Sequence, residues 1–104
     1  MANVEAMVED LTNRGYVEVQ EFGSLKVGTR VRGVGEQYFE ATHNGTGSIE
    51  RIFHKPNSHW AQKYGQPDVE VIMSRDKPRF GPDDTHSLYA SYGVVPVDPD
   101  RFSL

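Results

Sequence analysis

Cysteine is missing from the 104 residues, which rules out a disulfide staple and any thiolate acting as nucleophile or metal ligand. That absence fits a reducing compartment, and a cytoplasmic location is expected. No apolar run approaches the ~18 residues that a membrane-spanning helix needs, and Met1 to Glu5 show neither the basic nor the apolar region of a secretory signal. Neither membrane insertion nor secretion is expected. Catalytic signatures are equally scarce. There is no Gly-x-Ser-x-Gly elbow, and Gly33-Val34-Gly35 is a lone Gly-x-Gly without the rest of a phosphate-cradling or dinucleotide pattern. The expectation is a protein that is not an enzyme and carries no cofactor.

What is present is the composition of one folded domain. The chain is 37% apolar and 25% charged, with one Trp, five Tyr and five Phe, enough aromatic and branched side chain to offset ordering entropy. At 11.7 kDa it is too small to hold two cores. The net charge of −4 is unevenly spread. Residues 1 to 25 set Arg14 against Glu5, Glu9, Asp10, Glu18 and Glu21; residues 81 to 104 set Arg101 against Asp83, Asp84, Asp98 and Asp100. The stretch 26 to 80 is mildly basic, and a weak polyanion site there stays open.

Val4, Met7, Val8 and Leu11 recur at helical spacing, with Asn3 placed to cap the start and Gly15 to end the run. This predicts a short amphipathic helix that docks its apolar face on the domain, with a second copy or a partner as the alternative surface. After Gly15 the period becomes two. Strands are expected over Val17 to Gln20, Leu25 to Arg32, Thr46 to Phe53, Asp68 to Ser74, His86 to Ala90 and Val94 to Val97. Val69, Val71 and Met73 share one face of the strongest of these. Pro96 confines the last to an edge, and Ser91-Tyr92-Gly93 joins it to the strand before.

The strand opening VGTRVR (Val27 to Arg32), NGTGSIERIF (Asn44 to Phe53), DVEVIM (Asp68 to Met73) and SLYASYGVVPVD (Ser87 to Asp98) resemble, in that order, an SH3-like barrel of the KOW or Tudor type. The last piece is similar to the tight turn and closing strand of such barrels. The resemblance implies a mainly β fold: a small SH3-like barrel over 25–98, preceded by the helix and a lead-in strand over 1–24 and followed by a flexible tail over 99–104. It is a pattern of strands and glycines that says little about activity. The stretch HKPNSHWAQKYGQPDVEV also resembles small uncharacterised proteins carried by actinobacterial phages, which implies an accessory role in the host cytoplasm.

Residues 54 to 66 read as a polar loop that holds the only tryptophan. Aromatic and cationic side chains on a loop are common interface anchors, so His54, Lys55, His59, Trp60, Lys63 and Tyr64, with Tyr38 and Arg79 from neighbouring loops, are the candidate contacts for a protein partner, a host protein among them. The alternative for Trp60 is a lid over the core; Tyr38 and Phe39 are both open between core and cleft in the same way. The second functional reading is nucleic-acid binding through Arg30, Arg32, Arg51, Lys55 and Lys63, and the third a small enzyme with a histidine-based site. His43, His54, His59 and His86 lack the spacing of a metal site, so no metal is expected. Asp83-Asp84, after Gly81-Pro82, reads as turn chemistry before it reads as an acid–base pair.

Overall fold

The computed structural model describes residues 2–33, 45–78 and 81–97. The candidates Tyr38, Phe39, His43 and Arg79, the side chain of Asn3 and the tail 99–104 lie outside the described residues.

Helix α1 (Ala2–Asn13) ends where Gly15 takes a left-handed φ of 92°. The Gly15 N–H donates to the Thr12 carbonyl at 3.1 Å and the Tyr16 N–H to the Leu11 carbonyl at 3.0 Å. This two-bond closure satisfies carbonyls that a helix end leaves without partners, and the side chains it brings together, Leu11 and Tyr16, share one buried cluster.

The strands are β1 (Val17–Val19), β2 (Glu21–Phe22), β3 (Leu25–Lys26), β4 (Arg30–Gly33), β5 (Thr46–His54), β6 (Val69–Arg75), β7 (His86–Ala90) and β8 (Val94–Pro96). A second helix, α2 (His59–Tyr64), lies between β5 and β6, and a 3-10 turn (Ser91–Gly93) between β7 and β8. The main sheet runs β7-β6-β5-β4-β8, every neighbour antiparallel, with β1 pairing the far half of β5. The molecule is thus mainly β with one N-terminal helix. The sheet is open: β7 and β8 are its two ends, joined by the turn and, among the described residues, by no ladder.

The period-two segments explain which side of the sheet each residue faces. Val31, Ile49, Ile52, Val69, Val71, Met73, Tyr89 and Val94 form the inner core, with Leu25 brought in by the β2–β3 hairpin. The opposite face buries Phe53 and Ile72 under Leu11, Met7 and Val8 of α1. The expected face of Val69, Val71 and Met73 and the helix docking are both observed, and β8 is an edge strand, as Pro96 requires. A β-bulge in β5 sits between Ile49 and Arg51, and it lets Ile49 and Ile52, three apart, both point inward.

Two expectations are corrected. The strand expected over Leu25 to Arg32 is two strands separated by a turn: Gly28 has φ 96°, and the Thr29 N–H bonds the Lys26 carbonyl at 3.0 Å. Within the run expected from Val17, that valine is 57% exposed, because β1 lies at the margin of the sheet, off its main strand order. Among the described residues no helix is long and apolar enough to cross a membrane.

Candidate functional site

The stretch expected to be a loop over 54 to 66 instead contains α2. Ser58 caps it, its hydroxyl accepting from the Ala61 N–H at 2.9 Å, and Gly65 ends it with a φ of 66° and an N–H bonded to the Ala61 carbonyl. Both signals stand in the sequence as Ser58 and Gly65. Six residues are too few for a hydrophobic period to show.

This helix places Trp60 beside the end of the sheet rather than over its core. The indole is half-buried and stacks nearly parallel on Tyr92, with centroids 6.2 Å apart and an interplanar angle of 9°, while Tyr64 tilts against it at 5.2 Å. Tyr92 itself, from the 3-10 turn, is 65% exposed. A lid would be buried on the core residues; this pair forms a surface-facing wall.

Between that wall and Tyr16 lies a cleft of about 350 Å³. Its floor is the polar side of the first residues of β6. Asp68 and Glu70 alternate with the core-facing Val69 and Val71, so both carboxylates point to the face that α1 leaves uncovered here. The Tyr16 hydroxyl donates to Asp68 Oδ1 at 2.6 Å. Burial and that bond to a carboxylate both push the phenol well above its usual range. Arg14 lies 5.3 Å and Lys55 5.9 Å from the Tyr16 ring centroid. Arg14 is further held by Asp10 at 3.0 Å.

Glu70 is different. It is half-buried, and among the described residues its carboxylate makes no hydrogen bond or ion pair. Burial first, and the neighbouring Asp68 charge second, raise it above the ordinary carboxylate range, while Arg14 opposes the shift. A second groove of about 320 Å³, lined by Phe22, Leu25, Gln66 and Pro96, meets the cleft at Pro67 and Tyr92.

Of the expected partner contacts, Lys55, His59 and Trp60 line the cleft. Lys63 and Tyr64 sit together on α2, the ammonium 5.4 Å from the ring centroid. His54 belongs to β5 and packs its ring on Phe22 at 4.8 Å, away from the cleft lining. The residues that sequence reasoning missed are Arg14, Tyr16, Asp68, Glu70 and Tyr92. The acids carried no signal, because acid alternating with valine is the ordinary look of a strand with one wet face.

The five cations of the nucleic-acid reading are mostly engaged locally. Arg30 grips Asp76 with both guanidinium nitrogens, one at 2.8 Å, and Asp76 also accepts from Thr46. Arg51 holds Glu18 at 3.0 Å. Lys55 and Lys63 lie near the faces of Tyr16 and Tyr64, and Arg32 is exposed on β4.

Of the histidines in the histidine-based alternative, His54 and His59 are separated, the first packed on Phe22 and the second lining the cleft, and His86 is buried at 9% exposure between Thr85 Oγ1 (2.8 Å from Nδ1) and Glu50 Oε1 (3.1 Å from Nε2). Glu50 reaches it from the bulge in β5, across β6. Both ring nitrogens are occupied, which is the arrangement of a satisfied core histidine. Among the described residues no three His, Asp or Glu side chains converge as a metal site would require. Comparison with protein-family models, curated proteins and solved structures yields no match.

Proposed function

We propose that the chain is a non-catalytic binding module that engages an extended segment of a protein partner across the Trp60–Tyr92 wall. The observation that carries this reading is an exposed aromatic ridge with a concave surface on either side. Aromatic side chains offer large contact area at little conformational entropy, and such residues dominate protein interfaces. The cleft mixes Arg14 and Lys55 with Asp68 and Glu70, which suits a peptide of mixed charge better than a polyanion.

The strand order supports the SH3-like reading. Strands β4 to β7 form a meander in which each pairs with the next, and after the 3-10 turn β8 returns to the outer edge of β4. A short closing strand after a tight turn is the feature that the sequence shares with such barrels. With the resemblance to actinobacterial phage proteins, the reading is of an accessory module acting on a host protein in the cytoplasm.

The test starts from a random peptide library displayed against the folded protein, with the best recovered peptide measured by calorimetry. Trp60→Ala should weaken that peptide by about 2 kcal/mol or more while changing folding stability by less than about 1 kcal/mol. Equal binding to wild type and Trp60→Ala overturns the reading. So does tighter binding of a single-stranded oligonucleotide that weakens steeply with salt, the signature of counterion release.

A further inference from the structure

The cleft beneath Trp60 holds a carboxylate that the fold leaves unsatisfied. Glu70 is half-buried at the floor, and among the described residues no donor reaches it. The other charged groups are already engaged: Asp68 accepts from Tyr16, Arg14 is held by Asp10 and lies near the Tyr16 ring face, and Lys55 lies near the same ring. The lining sets Asp68 and Glu70 against Arg14 and Lys55, and Arg14 is shared with Asp10 outside the cleft. An anionic occupant would meet Glu70 with like charge, and a neutral one would strip its remaining water without replacing it.

We infer that this cleft receives a guanidinium-bearing side chain of the partner segment, with Glu70 as its carboxylate acceptor and the Trp60–Tyr92 pair as its stacking surface. The inference rests on the protein-binding reading above and specifies its chemistry. A guanidinium fits for three reasons. It is planar, and Trp60 and Tyr92 present parallel rings 9° apart in tilt. Its N–H fork matches a carboxylate, where an ammonium offers a point charge. It is also more weakly hydrated than an ammonium, so it enters a half-buried site at a smaller desolvation penalty. The chain's own Arg14, near the Tyr16 ring face with a carboxylate alongside, shows the same combination at the opposite wall.

The probe is N-acetyl-arginine amide, titrated against the full chain, with N-acetyl-citrulline amide as the uncharged isostere. The lone tryptophan makes fluorescence a direct report on the cleft, and amide shifts at Glu70, Trp60 and Tyr92 locate the site. The arginine compound should saturate both signals, and citrulline should bind about tenfold more weakly or worse, as loss of a charge-assisted hydrogen bond implies. Glu70→Gln should show the same loss for the arginine compound without melting lower than wild type, since it removes a half-buried charge to which no described residue donates a hydrogen bond and which Arg14 only partly offsets. Equal binding of arginine and citrulline compounds, or unchanged arginine binding by Glu70→Gln, overturns the assignment.

The two levels fail separately. A library peptide that needs Trp60 yet binds Glu70→Gln as well as wild type overturns the guanidinium assignment and leaves the protein-binding reading in place. Arginine-specific binding at Glu70, with no peptide depending on Trp60, overturns the protein-binding reading and supports the guanidinium site.

Discussion

Asp76 is pulled in two directions, by burial that disfavours its charge and by donors that favour it. The donors win: hydrogen bonds from Arg30 and Thr46 hold the carboxyl down to about 2. A carboxylate with a depressed folded-state pKa stabilises the fold above its unfolded value, and that contribution vanishes as pH falls through the folded value. Asp76→Asn should therefore melt below wild type near neutrality, with the gap closing between about pH 4 and about pH 2. Both side chains are about two-fifths exposed, so screening keeps the effect modest, and added salt should shrink it further. A gap that stays constant through this range would show that the pair does not couple to folding. Glu70 has the opposite sign. Its raised pKa means that its ionised form opposes folding at neutral pH, and stability is lost as pH rises through the raised value.

At the scale of elements, α1 and α2 do different work although both are short helices. The apolar side of α1 is a core component: Leu11 is fully buried with Phe53 and Ile72, and Met7 and Val8 pack against them. Leu11→Asp should destabilise the folded chain by roughly 3 kcal/mol or more, since it leaves an unpaired charge and a void at once. Chemical denaturation measures this, and an unchanged midpoint would mean that the helix serves something other than this core. In α2, by contrast, no residue is buried. Its shape depends on its caps, and Gly65 holds a left-handed φ that alanine adopts only with strain. Gly65→Ala should loosen the wall around Trp60, seen as a red shift and easier iodide quenching of its emission, while global stability falls by only about 1 kcal/mol. Loss of the whole fold in that variant would place α2 in the core after all.

On the scale of the whole molecule, one sheet is buried on both faces. The inner face packs Leu25 and Phe22 of the β2–β3 hairpin, and the outer face is covered by α1. That double burial explains why β6 reads Val-Glu-Val-Ile-Met: Val69, Val71 and Met73 face inward, Ile72 faces the helix, and Glu70 lies on the helix side where the cover ends. Where α1 stops, at the Gly15 turn, the outer face is taken over by Tyr16, then α2 and Tyr92, and the space between them is the cleft. Gly47 illustrates how tightly the strands pack elsewhere, because a Cβ there would overlap the Ser74 carbonyl oxygen across the β5–β6 ladder.

Much of this was readable along the chain because it depends on near neighbours. The spacing of Val4, Met7, Val8 and Leu11 determined a helix and its buried side, Gly15 determined where it stops, and the alternation in Val69 to Met73 determined a strand and its core face. These are properties of backbone periodicity, and every residue needed to see them lies within a few positions. The break at Gly28, the helix at His59–Tyr64 and the cleft were decided elsewhere. A six-residue helix has too little period to announce itself, and its place depends on caps and on Tyr92, distant in sequence. Above all, Tyr16 meets Asp68 from 52 positions away. Only the folded sheet, by pairing the end of β5 with the start of β6 and letting α1 end short of them, turns an ordinary wet strand face into a half-buried carboxylate between aromatic walls.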